Sequence, residues 1–177
     1  MSIAGYFVGW GAEDKYELTT IDTPSPEMKL EEQGRYDEAI QAVRSREKEG
    51  LREADADSQV AQIYLDRAKK DSANRAKWAQ EAALYLDKST ALAPRNPFIL
   101  ESAMDGFNKV GDYSEQGCSH YAKAVASGEA ALALLQASTV TIEGHVRSYP
   151  TGPIKEGIQL RLKRIRRKVE AWCNKTS

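Results

Sequence analysis

Apolar positions along this chain recur at helical spacing, in runs a few turns long separated by proline, glycine and short polar clusters. Ser25-Pro26-Glu27 has the chemistry of a helix start: a hydroxyl to cap, a proline at the first helical position, an acid in the first turn. That helix is predicted to run to Gln33, where Gly34 stops it. Tyr36, Ala39, Ile40 and Val43 mark a second helix reaching about Leu51. Asp55 or Asp57 is placed to cap a third, which carries Val60, Ala61, Ile63, Tyr64 and Ala68. The polar break Lys69-Lys70-Asp71-Ser72 precedes a fourth, with Trp78, Ala82, Tyr85, Leu86 and Leu92, ended by Pro94. Asn96-Pro97 starts a fifth through Ile99, Leu100, Ala103, Met104, Phe107 and Val110, closed by Gly111. Asp112 or Ser114 opens a sixth, long helix through Tyr121, Ala124, Val125, Leu132 and Leu135.

From Ala137 to Pro153 the helical spacing disappears. Val140, Ile142 and Val146 alternate with Thr, Glu, His and Arg, which predicts extended backbone, and Tyr149-Pro150-Thr151-Gly152-Pro153 is turn chemistry. This connection, 137–153, is longer than most helix–helix links and reads as a crossover or a functional loop. The segment 154–177 then gives the clearest amphipathic helix: Ile158, Leu162, Ile165, Val169 and Trp172 form one apolar stripe, and the other faces are basic.

At 177 residues the chain is one domain's worth and can bury a real core. The net charge of -1 hides an asymmetry. Residues 1–57 carry 14 acidic against 7 basic groups, and residues 154–177 carry 8 basic against 2 acidic. Either the two ends attract each other, or one of them meets a charged partner, or both faces are simply solvated. Residues 1–24 open with an apolar run, Ile3 to Trp10, too short to span a bilayer of about 30 Å. With Tyr6, Phe7 and Trp10 at its end it reads as the last turns of a membrane anchor, which would make the rest its soluble part. The other reading is an apolar arm or a disordered terminus. Two cysteines, two isolated histidines and no metal-ligand spacing predict no metal and no cofactor.

The recurring pairs resemble the tetratricopeptide repeat. Leu100, Ala103, Phe107, Gly111 and Tyr113 fit its pattern, with Tyr121 and Ala124 one residue late. Leu30, Gly34, Tyr36, Ala39 and Val43 fit in the first pair, and Ala61 and Tyr64 follow at a period of 34. The middle pair carries extra residues before Ala82, Leu86 and Pro94. The resemblance is degenerate and covers roughly residues 26–136. It implies an all-α fold: a right-handed stack of about three antiparallel helix pairs over residues 25–136, with the basic C-terminal helix as a cap. A generic helical bundle is the competing architecture.

The resemblance also implies a non-catalytic scaffold whose leading helices line a concave groove for a peptide or partner helix. Family members that grip a C-terminal carboxylate place Lys, Asn and Arg in that groove. Here the equivalent positions are mostly Ser58, Gln59, Gln62 and Asp66, then Glu101, Ser102 and Asp105, so that clamp is absent. The expected partner-binding residues are Gln62, Asp66, Glu101, Asp105 and Lys109, and the expected partner is a basic protein or peptide.

A second reading makes Arg161, Arg164, Arg166, Arg167 and Lys168 a binding surface for anionic lipid or nucleic acid. A third lays this helix in another copy's acidic groove, as a homo-oligomer. If the last helix packs antiparallel to the sixth, Cys118 and Cys173 come together, as a disulfide in an oxidising compartment or as two buried thiols. No nucleotide loop, nucleophile elbow or carboxylate pair on an apolar face is present, so an enzyme is not expected.

Overall fold

Where the sequence offers a hydroxyl or amide cap followed by proline, a helix begins. The structure, a computed structural model, describes residues 25–115, 117–136, 139–142, 145–148 and 151–173, the strands 139–142 and 145–148 by their backbone only. The apolar run Ile3 to Trp10 and the side chain of His145 therefore lie outside the described residues. The described chain is helical: α1 (Pro26–Glu32), α2 (Tyr36–Lys48), α3 (Glu53–Lys70), α4 (Arg75–Leu92), α5 (Pro97–Tyr113), α6 (Gly117–Leu134) and α7 (Thr151–Lys168). The Ser25 hydroxyl accepts from the Met28 amide at 3.3 Å. The Asn96 side chain accepts from the amides of Phe98 and Ile99 at 3.0 and 3.4 Å. Both caps precede a proline, whose absent N–H is no loss at that position. Gly34 has φ 74° and is a true stop, because a side chain there would be strained.

Three expected boundaries move. Asp55 and Asp57 do not cap α3, which begins at Glu53 and contains both. Asp55 instead pairs with Arg52 at 2.5 Å, and Asp57, buried, with Arg44 at 2.5 Å. Gly111 does not close α5, which continues to Tyr113. Nor does Asp112 or Ser114 open α6, which starts at Gly117. Asp112 is engaged elsewhere, accepting from the Tyr121 hydroxyl at 2.7 Å and from Lys168 at 2.6 Å.

The most extensive packing joins α3 to α4 and α5 to α6. Each pair is antiparallel. The Ser89 hydroxyl, late in α4, donates to the Ala54 carbonyl at the start of α3 (2.7 Å), and Tyr121, early in α6, reaches Asp112 late in α5. Small residues make the close approach possible: Ala61, Ala79, Ala82, Ala103, Ala124 and Ala131 are all buried within the main core, around Leu86, Met104 and Phe107. A smaller cluster of Ala39, Val43, Ala56, Val60 and Ile63 seats α2 on α3. Helices α3 and α5 run side by side in the same direction, with the hydroxyls of Ser58 and Ser102 3.0 Å apart. Tyr64 stacks between Trp78 and Tyr85, at 6.2 and 5.7 Å, and the Arg67 guanidinium lies 3.7 Å over Trp78, clamping α3 to α4.

The connection after α6 is extended, as the alternation predicts, and pairs as an antiparallel hairpin of β1 (Thr139–Ile142) and β2 (His145–Ser148). The last helix begins earlier than expected: Thr151-Gly152-Pro153 forms its first turn, where proline is tolerated. It packs antiparallel to α6, with Leu162 against Gly128 at mid-helix and Cys118 joined to Cys173 at the end (Cα–Cα 5.6 Å). Ile158, Leu162 and Ile165 are buried as the stripe predicts, but Trp172 is 63% exposed. The cause is a π-helical turn, Val169–Cys173, whose wider winding turns Trp172 off the stripe. Cys118 is exposed rather than buried on its apolar stripe, so the disulfide lies at the rim of the core.

Candidate functional site

The five residues expected to meet a partner come together on one face, built by α3 and α5 and flanked by α7. Helical spacing puts Gln62 and Asp66 one turn apart on α3, and the Gln62 amide donates to the Asp66 carboxylate at 3.0 Å. Lys109 reaches across from α5 to the Gln62 carbonyl oxygen at 3.4 Å. Glu101 and Asp105, again one turn apart on α5, both accept from the guanidinium of Arg161 on α7.

That last contact changes the expected groove. Its α5 portion is not open to a partner, because the chain's own α7 has placed a cation there. Burial pushes the Asp105 carboxyl above its usual range, with Arg161 and Lys109 pulling it down. Burial also opposes the charge on Arg161, yet its two carboxylate partners keep it above the ordinary arginine range. The pair at Glu101 and Asp105 is thus a satisfied guanidinium site.

Sequence reasoning missed Glu31 on α1. Glu27 and Glu31 lie four residues apart and so share a face, which was the available signal. What the sequence does not reveal is that this face meets Asp66. Glu27 is buried and held by Arg46 at 2.9 Å. Burial works against its charge, but Arg46 together with hydrogen bonds from its own backbone amide and Ser25 leaves the carboxyl below the usual range. Glu31 has no such cation. Burial, then the charge and hydrogen bond of Asp66, then Glu27, push its carboxyl up to about 7. Two carboxyl groups in contact share one proton, because both cannot ionise there cheaply.

This pair gives a pH signature. The folded protein binds a proton at Glu31 up to about pH 7, while the unfolded chain releases it near 4.5. Stability conferred by the shared proton is therefore lost as pH rises between those values. Glu31→Gln keeps a donor to Asp66 and cannot ionise. It is expected to match the wild type near pH 4.5 and to exceed it by on the order of 1 kcal/mol at pH 8, with allowance for solvent screening. Urea unfolding at the two pH values measures the difference, and equal stability at pH 8 would mean that the carboxyls are not coupled.

The basic helix divides. Arg161 turns to Glu101 and Asp105, Arg166 to Glu129 at 2.6 Å, and Lys168 to Asp112 at 2.6 Å and Asn108 at 2.9 Å. These three expected anionic-surface residues are consumed by α5 and α6. Arg164 and Arg167 point outward with Lys163 and are exposed. Among the described residues no ion pair joins the acidic first half of the chain to α7. The cations of α7 are met by α5 and α6, and many acids of the first half by their own Arg35, Arg44, Arg46, Arg52 and Arg67.

An open depression of about 580 Å³ between α2, α3 and α4 is lined by Arg44, Asp57, Tyr85 and Lys88. Its charges are largely paired, Arg44 with both Asp57 and Glu47, so it offers little to a ligand. His120 lies against the Phe107 ring, 6.4 Å between centroids, and burial, with Lys123 nearby, lowers its pKa. Among the described residues no group of three His, Cys, Asp or Glu side chains is arranged to hold a metal ion. No protein-family model matches the chain, and a search of curated proteins finds no match.

Proposed function

We propose that this chain is a non-catalytic scaffold, a tetratricopeptide-like right-handed stack of about three helix pairs capped by α7, which binds a basic segment of another protein. The pairing of α1 with α2, α3 with α4 and α5 with α6 supports that architecture, as does the side-by-side run of α3 and α5. The observation that carries the functional reading is electrostatic. At the α5 end of the face a guanidinium sits between two carboxylates, and at the α1 end Glu31, its carboxyl pushed up to about 7 beside Asp66, has no arginine or lysine bonded to it among the described residues. A partner's arginine or lysine would relieve that pair, as Arg161 does at the other end. The disulfide supports a place of work in an oxidising compartment.

The test is selection from random peptide libraries, with the winners measured by calorimetry. Selected peptides are expected to be rich in Arg and Lys, and Glu31→Lys with Asp66→Lys is expected to weaken them by tenfold or more. Binding should expel up to one proton near pH 6.5, since the incoming cation ionises Glu31, so the observed heat will depend on the buffer's ionisation enthalpy. Neutral or acidic winners, or affinities indifferent to the double reversal, would remove this face from the account.

A further inference from the structure

Six cations lie between positions 161 and 168 of α7, and the fold spends three of them. Arg161 and Lys168 flank one side of the buried stripe and turn to α5, while Arg166 flanks the other and turns to α6. What remains is the arc opposite Ile158, Leu162 and Ile165. At spacings of three and four it presents Leu160, Lys163, Arg164 and Arg167, all exposed. Among the described residues no carboxylate is bonded to any of these three cations. Glu156 stands about two turns before them and Glu170 about one turn after. The three lie within roughly 10 Å of one another, close enough that their fields add at physiological ionic strength.

The arc is also not purely polar. Leu160, 53% exposed, sits amid the cations. Leucine gains nothing from water and nothing from a phosphodiester groove, whereas beside phosphates that overlie hydrocarbon it gains burial. We propose that this outward arc of α7 is a docking surface for a lipid bilayer bearing anionic headgroups. Lys163, Arg164 and Arg167 contact headgroup phosphates and carboxylates, and Leu160 enters the acyl boundary. The arc shares no residue with the α1–α3–α5 face, so either surface can fail without the other.

The experiment is co-sedimentation of the full chain with vesicles of phosphatidylcholine alone or mixed with phosphatidylserine, at low and high salt. Binding is expected only to the mixed vesicles, with loss at high salt. The triple reversal Lys163→Glu, Arg164→Glu, Arg167→Glu is expected to lower partitioning at least 100-fold, the factor that about 1 kcal/mol per cation near the surface gives. Leu160→Glu is expected to weaken it further than a polar Leu160→Gln. All four positions face outward, so unchanged circular dichroism and melting are expected for each variant. The apolar run Ile3 to Trp10 is present in every protein compared, so its own lipid affinity cancels. Equal binding by the triple reversal, or no binding of the wild type to mixed vesicles at low salt, would overturn the proposal. Tighter binding to an oligonucleotide than to vesicles, dependent on the same three cations, would overturn it in favour of nucleic acid.

Discussion

Replacing Cys118 and Cys173 together with serine is expected to lower stability by about 2–4 kcal/mol, a drop in melting temperature on the order of 10 °C. The two cysteines are 55 residues apart, so the bridge closes a long loop in the unfolded chain. The loop-entropy relation gives about 4 kcal/mol for that length, and the lower figure allows for residual structure in the denatured state. In the folded protein the bridge ties the start of α6 to the π-helical end of α7. Ile158, Leu162 and Ile165 would still hold the body of α7 on α6, so the helix should stay docked while its last turn frays. Urea unfolding of the oxidised wild type, the reduced wild type and the double variant measures the effect. A double variant as stable as the oxidised protein would show that the bridge contributes nothing.

The second large effect is expected at Gly111. An alanine in the interior of a helix ordinarily stabilises by up to about 1 kcal/mol relative to glycine. Here the sign should reverse. A Cβ at Gly111 would lie 2.5 Å from Cε1 and 2.6 Å from Cδ1 of Tyr121. That ring is only 1% exposed, is fixed by its hydroxyl's bond to Asp112, and cannot bend aside as an aliphatic chain might. Overpacking of this kind costs about 1–3 kcal/mol, so Gly111→Ala is expected to destabilise by that amount net of propensity. Gly152→Ala, in the first turn of α7 with open space around the new methyl, is the matched comparison and should be neutral or slightly stabilising. If the two variants melt alike, the α5–α6 contact is looser than described.

Gly111 also shows where reading the chain succeeds and where it stops. The residue stands out in the sequence as a helix terminator, because glycine next to aspartate is common turn chemistry. In the fold it lies inside the last turn of α5, two residues before the end, and its lack of a side chain serves a ring ten positions away. Gly34, with the same appearance in sequence, does end its helix through a positive φ. One-dimensional pattern cannot separate these two uses of glycine, since one is local geometry and the other is a tertiary contact. Trp172 is a similar case: its spacing from Val169 places it on the apolar stripe, and a π-helical turn moves it off.

The candidate face was partly legible for the same reason. Asp66, Glu101 and Asp105, with Gln62 and Lys109, could be placed on two leading helices through the repeat resemblance. That Arg161 would sit between the two α5 carboxylates, and that Glu31 would share a proton with Asp66, depends on elements brought together from distant parts of the chain.

What the sequence determined by itself is the set of helices, the caps at Ser25 and Asn96 and the apolar stripes, because these follow from backbone hydrogen bonding and side-chain periodicity within a few turns. Only the tertiary structure decided which charges are neutralised. The stretch from 161 to 168 carries six cations and no acid as text. Packing splits it into three cations held by carboxylates and three left facing water, because an ion pair forms where two helices set their side chains within reach, whatever the order of residues along either one.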